Sequence, residues 1–192
     1  MGYECFKRGA DAVLSFLLII FLAIPMAGIA LLILCTARGG AIFRQVRIGR
    51  GGVPFVCYKF RTMRKEAPEN CPAAALLDRE RWVTPVGAIL RRTSLDELPQ
   101  LFNVLKGDMS LVGPRPLIPR EWAVHEMRHR YGVDRLRPGI TGLSQVCGRD
   151  LVDDRRKAAL DGRYVRRMGF LEDLRILALT LWQVLFARGV RE

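Results

Sequence analysis

Histidine is nearly missing from this chain. His125 and His129 are the whole complement, and with Glu126 they spell H-E-x-x-H, a zinc-protease pattern when carried on a helix. Two histidines at i and i+4 share a helix face, but a catalytic zinc site takes a third protein ligand. No third histidine exists, and the nearby Asp134, Asp150, Asp153 and Asp154 fall in loops or solvated stretches. A zinc metalloprotease is therefore an alternative the chain supports poorly. Cysteine offers no framework either: Cys5, Cys35, Cys57, Cys71 and Cys147 are odd in number, scattered and never spaced C-x-x-C. That pattern excludes a zinc knuckle and argues for reduced thiols. Neither a P-loop nor a G-x-G-x-x-G occurs, so ATP and NAD chemistry have no support. Acidic residues are scarce beside basic ones, 19 against 31, for a net charge of +12. Such an excess must face nucleic acid, a lipid surface or phosphorylated substrates. The basic residues do not interleave with aromatics, and no helix-turn-helix or RNP pattern appears. A non-enzymatic basic protein that binds membranes or nucleic acid is thus a second, weaker alternative.

What the chain does have is one long apolar run. No charge interrupts the 24 residues from Ala12 to Cys35, enough to cross a bilayer as a helix. Two features disturb a plain span. Pro25 sits mid-run, where it lacks an N–H and its ring clashes with the carbonyl of Phe21. Both flanks are basic, with Lys7 and Arg8 before and Arg38, Arg44 and Arg47 after, and cytoplasmic flanks attract such residues. The residues alone leave a kinked span and a segment that enters and turns back equally open.

Beyond Gly39-Gly40, AIFRQVRIG and PFVCYKFRTM read as short strands around a Gly51-Gly52 turn. Lys65 to Cys71 reads as a polar loop, and helices are expected near Val86–Arg92, Leu98–Leu105 and Arg120–Tyr131. LVGPRPLIPRE is proline-broken and extended, and RPGITG reads as a turn. A charged helix follows over Asp153–Met168, and FLEDLRILALTLWQVLF is a strongly apolar final helix suited to a membrane interface. The expected fold is α+β and α-rich, with a small β element: residues 1–38 as a membrane anchor and 39–192 as one cytosolic catalytic domain with membrane-interface helices.

Unusual chemistry concentrates in RRTSLDELPQLFNVLKGDMSLVGPRP. Asp96 and Glu97 are adjacent carboxylates at a helix start. Ser94 and Glu97 have capping-box spacing; the preferred register instead makes Asp96 the N-cap, with Pro99 in the first turn. A lone D-E-L-P is most simply a cap. A carboxylate nucleophile attacking phosphorus is the functional reading, because helix N-termini favour anions and bind phosphate. Arg91, Arg92 and Arg115 are close in sequence, and Gly113-Pro114-Arg115-Pro116 would hold Arg115 on a stiff turn to clamp a phosphate.

Together, KRGAD near the start, YKFRTM at 58–63, SLDELPQLFNVLKGDMSLVGPRPL at 94–117, RPGITGLSQVCGR at 137–149 and the D-x-x-Y-V of Asp161 to Val165 resemble the bacterial sugar transferase family, the monotopic phosphoglycosyl transferases. The resemblance runs from about Phe6 to Val190. It implies a two-step transfer of a sugar 1-phosphate from a UDP-sugar to polyprenyl phosphate, giving UMP. It places the family's nucleophile on Asp96 and an assisting carboxylate on Glu97, with Mg²⁺ at Asp96. Lys59, Arg91, Arg115 and Arg137 match basic positions that would bind phosphate, and Asp161 and Tyr164 match a further motif with either a site or a packing role. It implies a re-entrant membrane helix broken at Pro25, although Ala23-Ile24-Pro25 stands where the family usually has Ser-Pro. The expected location is the cytoplasmic face of the inner membrane, with membrane lipids as partners and no nucleic acid.

Overall fold

A computed structural model describes residues 2–68, 79–148 and 152–186. The N-terminal helix α1 (Gly2–Phe21) and its successor α2 (Ala23–Thr36) meet at Leu22 with a bend of 63°. Pro25 explains the break. It lies in the first turn of α2, where a missing N–H costs nothing, and the carbonyl its ring would strike belongs to Phe21, the last residue of α1. Hydrogen bonds from Leu22 to Leu18 and from Met26 to Leu22 continue on either side. No single helix among the described residues is long and apolar enough to cross a membrane; the bent pair together has the length and composition.

Next come β1 (Ile42–Ile48) and β2 (Pro54–Phe60), an antiparallel hairpin in which Phe43 faces Lys59 and Gln45 faces Cys57. A short α3 (Arg79–Trp82) precedes α4 (Pro85–Thr93) and α5 (Gln100–Lys106). Then follow β3 (Ser110–Val112), α6 (Trp122–His129), β4 (Gly139–Thr141), α7 (Leu143–Val146), α8 (Asp154–Arg167) and α9 (Phe170–Leu185). The architecture is one α-rich domain with two small sheets. The tail of the expected Lys65–Cys71 loop, and Arg149, Asp150 and Arg188, lie outside the described residues.

One expectation needs correction. RPGITG is not merely a turn: Gly139–Thr141 forms a strand parallel to β3, with Ser110 beside Gly139 and Val112 beside Thr141. Its glycines answer to crowding. A Cβ on Gly139 would lie 2.1 Å from the amide nitrogen of Gly113, and one on Gly142 would lie 2.0 Å from the carbonyl oxygen of Gly113. The backbone that leads into Gly113-Pro114-Arg115-Pro116 is thereby clasped by β4.

Three apolar clusters hold these pieces. Ile33 of α2, Phe60 of β2 and Leu90 of α4 pack together, with Leu98 against them. Cys57, Val104 and Met109 join β2 to α5, and Val112, Leu143, Tyr164 and Ile176 join β3 to α7, α8 and α9. Each such aliphatic or aromatic burial contributes about 1.5–3 kcal/mol. Polar ties bind the first half of α1 to the same body. Arg8 donates to the carbonyls of Val104 and Leu105 at the C-terminal end of α5, at 2.6 and 2.8 Å, where a cation is favoured. Buried Asp11 accepts from the Ser110 hydroxyl at 2.7 Å and the Leu111 amide at 3.3 Å.

Candidate active site

Asp96 stands in the middle of a 3-10 turn, Leu95–Glu97, wedged between α4 and α5. Ser94 ends α4 in the left-handed region (φ 58°), returning its N–H to the carbonyl of Arg91. The Glu97 amide reaches the Ser94 carbonyl at 3.2 Å, and the Leu98 amide reaches that of Leu95 at 3.3 Å. Both expected capping registers are absent. The residue preceding α5 is Pro99, and no side-chain capping hydrogen bond forms at Pro99 or at Ser94. Burial of Leu98 and Leu101 draws the helix start past Pro99, which has no N–H to satisfy. Asp96 and Glu97 therefore both fall ahead of α5.

Those two carboxylates face a set of cations. Lys59 of β2 donates to Glu97 Oε1 at 2.6 Å, and Arg115 Nη1 lies 3.8 Å from the same oxygen. Asp96 is only 9% exposed. Burial pushes its carboxyl above the ordinary range and the neighbouring Glu97 charge adds to that; Lys59, Arg91 and Arg115 pull the other way. Arg91 is aimed by a hydrogen bond from Nε to Thr62 Oγ1 at 2.8 Å. Gly87 makes that possible, since a Cβ there would lie 2.0 Å from the Thr62 carbonyl oxygen. Asn103 braces the floor: its side chain accepts from the Tyr58 amide and donates to the Val56 carbonyl. The sequence-expected Asp96, Glu97, Lys59, Arg91 and Arg115 therefore converge.

The other three expected residues have partners elsewhere. Arg137 donates to the Gly107 carbonyl at 2.9 Å and lines a separate small hollow with Arg8, Asp11 and Tyr164. Asp161 is 1% exposed, with Oδ2 2.6 Å from Arg128 Nη2. The two form a buried ion pair. Burial pushes the Asp161 carboxyl up, opposed by Arg128. Tyr164 is buried in the core and donates to Asp173 Oδ1 at 2.6 Å. Two of the H-E-x-x-H residues are engaged singly: His129 lies 3.1 Å from Asp134 and Glu126 lies 3.7 Å from Arg130. Among the described residues no three histidine, cysteine or carboxylate side chains gather as a metal site.

Two residues at the edge of the site escape the motif reading. Arg47 donates to the Pro116 carbonyl at 2.9 Å, and Arg128 donates to that of Arg115 at 2.7 Å. The signals were there: strand alternation sets Arg47 on the inner face with Phe43 and Gln45, and Arg128 shares a helix face with Val124 at i−4.

Residues 2–187 match the family described as bacterial sugar transferase. The chain is 44% identical over 154 residues to the uncharacterized sugar transferase EpsL of Bacillus subtilis, covering 78% of this chain and 72% of EpsL. It is 36% identical over 198 residues to the exopolysaccharide production protein ExoY of Rhizobium meliloti, covering 95% and 87%. It is 43% identical over 201 residues to the undecaprenyl-phosphate galactose phosphotransferase of Salmonella typhimurium, covering 95% of this chain but 41% of that protein.

Proposed function

The chain belongs to the bacterial sugar transferase family, and from that premise we propose that it is a polyprenyl-phosphate phosphoglycosyl transferase, moving a sugar 1-phosphate from a UDP-sugar to undecaprenyl phosphate with release of UMP. The observation that carries the reading is the buried Asp96–Glu97 pair ringed by Lys59, Arg91 and Arg115. The name of the Salmonella typhimurium relative supplies the acceptor class.

The reaction runs in two displacements at one phosphorus. A carboxylate oxygen of Asp96 attacks the β-phosphorus of the UDP-sugar. The bond from that phosphorus to the bridging oxygen breaks, the electron pair leaves with UMP, and an acyl phosphate carrying the sugar remains on Asp96. A phosphate oxygen of the polyprenyl phosphate then attacks the same phosphorus and breaks its bond to Asp96, restoring the carboxylate. Arg91 and Arg115 hold the diphosphate in line, so the charge spread over its oxygens in the transition state meets fixed cations. Glu97, held by Lys59, orients the acceptor. The Asp96 oxygens suit Mg²⁺, which binds through one or two carboxylates together with substrate phosphates and, when bound, neutralises diphosphate charge.

The acceptor is a lipid, and the surface matches. Val13, Phe16, Leu17, Ile20, Phe21 and Ile24 are exposed around the bend of α1 and α2. On α9, Ile176 faces the core while Leu171, Leu174, Leu181, Trp182 and Leu185 point outward. Apolar area of this extent belongs against a membrane. In this reading α1 and α2 enter the bilayer and return, leaving the site on the cytoplasmic face of the inner membrane. The test is nucleotide analysis with UDP-sugars, undecaprenyl phosphate and magnesium. UMP is expected; UDP would mean the sugar–phosphate bond had broken and would end this assignment.

A further inference from the structure

The segment that carries Arg115 is poor in backbone donors, because Pro114, Pro116 and Pro119 have no N–H. It cannot build a ladder of its own, so its carbonyls are held from outside. The Leu117 carbonyl accepts from the Ile48 amide at 2.9 Å. The Pro116 carbonyl accepts from Arg47, whose other terminal nitrogen is fixed by Gln45 Oε1 at 2.5 Å. The Arg115 carbonyl accepts from Arg128, whose other terminal nitrogen meets Asp161 at 2.6 Å. Three successive carbonyls are thus gripped from two sides, by β1 and by α6, and the grip from α6 is anchored in α8.

We propose that the buried Arg128–Asp161 pair, with Arg47 opposite it, is a positioning device for the transfer reaction: it fixes the backbone at Arg115 so that this guanidinium points across Glu97 at the diphosphate. The inference rests on the proposed function for its substrate and on the geometry for the rest. The guanidinium engages a carboxylate on one helix and a carbonyl on another segment through two terminal nitrogens held in one rigid plane, a fixed geometry that a flexible ammonium lacks. Stability alone does not require the pair, since buried ion pairs are often replaced by apolar residues at no cost. The Arg115 side chain is 47% exposed, so the placement of its backbone bears directly on where the guanidinium points. In this proposal Arg128 and Asp161 act through Arg115, whose carbonyl Arg128 holds.

The test replaces both buried charges together, Arg128→Met with Asp161→Leu, so that no unpaired charge is left inside. It measures the full-length protein in two ways. In the first, kcat/KM for UMP release should fall about tenfold or more in the Arg115 background, as a displaced clamp requires, and no more than about twofold in an Arg115→Ala background. Equal losses in both backgrounds, or no loss in either, would overturn the proposal. The second readout is hydrogen exchange at the amides of Ile48 and Gly139, which donate to the carbonyls of Leu117 and Pro114 on either side of the gripped segment; it should quicken in the double variant while exchange in α5 stays unchanged. Should the wild-type chain release no UMP from any UDP-sugar, the proposed function fails and exchange alone decides: unaltered protection at those amides rejects the positioning role.

Discussion

An aspartate that attacks phosphorus must be deprotonated, and burial at position 96 works against that. Burial raises the Asp96 carboxyl, and Lys59 is the strongest opposing influence. Activity should therefore rise with pH along a limb lying above the usual carboxylate value of about 3.9. Lys59→Met should push that limb higher and lower kcat by about 10² or more, since it also releases Glu97. Stability should show the opposite sign. A carboxyl raised in the folded state contributes stability below its unfolded pKa and loses it as pH rises through the folded pKa. Asp96→Asn never ionises, so its melting temperature should exceed the wild type's near about pH 7.5, with the gain shrinking toward about pH 4. A less stable variant at neutral pH would mean that the three cations outweigh burial. Motif spacing made the cluster of Asp96, Glu97, Lys59, Arg91 and Arg115 legible because it is built from charged side chains that the motifs themselves spell. Arg128 was hidden because its partners, Asp161 and the Arg115 carbonyl, are distant in sequence, and the surrounding H-E-x-x-H spelling pointed to other chemistry.

At the scale of elements, Pro25 breaks the N-terminal helix because Phe21 and Pro25 cannot share a hydrogen bond, and that much was legible. The position of the 3-10 turn was not: capping rules set Asp96 at a helix start, but burial of Leu98 and Leu101 moved the start to Gln100. β4 was missed for a related reason, since a glycine required by close approach looks like one required by a turn. The bend itself carries the topology prediction. Cys5 and Cys35 lie near the two ends of the helix pair and both are exposed. Retained one at a time in otherwise cysteine-free protein, each should resist an impermeant thiol reagent in intact cells and react once the membrane is opened. Labelling of Cys5 alone in intact cells would show a span. Pro25→Leu restores a helix hydrogen bond and removes a clash of about 3 kcal/mol, so it should shift Cys5 toward that labelling.

Across the whole molecule, residues 1–38 and the remainder of the chain are tied by more than a linker. Asp173 of α9 accepts from Tyr3 at 2.7 Å, pairs with Lys7 at 2.5 Å and accepts from Tyr164 at 2.6 Å. Asp173→Ala should cost about 3–5 kcal/mol by leaving Lys7 buried without its partner, read as a lowered unfolding midpoint in detergent. Removal of residues 1–38 takes Tyr3, Lys7, Arg8 and Asp11 together, so that truncation should yield an unstable, detergent-requiring protein; a well-folded soluble monomer would contradict the account. The central claim, a sugar phosphate held on Asp96, is tested most directly by the mass of the intact protein. After incubation with a UDP-sugar and magnesium but no polyprenyl phosphate, the wild type should gain one sugar phosphate and release UMP, and Asp96→Asn should do neither. UMP formation that strictly requires the polyprenyl acceptor, with no adduct on the wild-type chain, would mean that the lipid attacks the donor directly and that Asp96 is not the nucleophile.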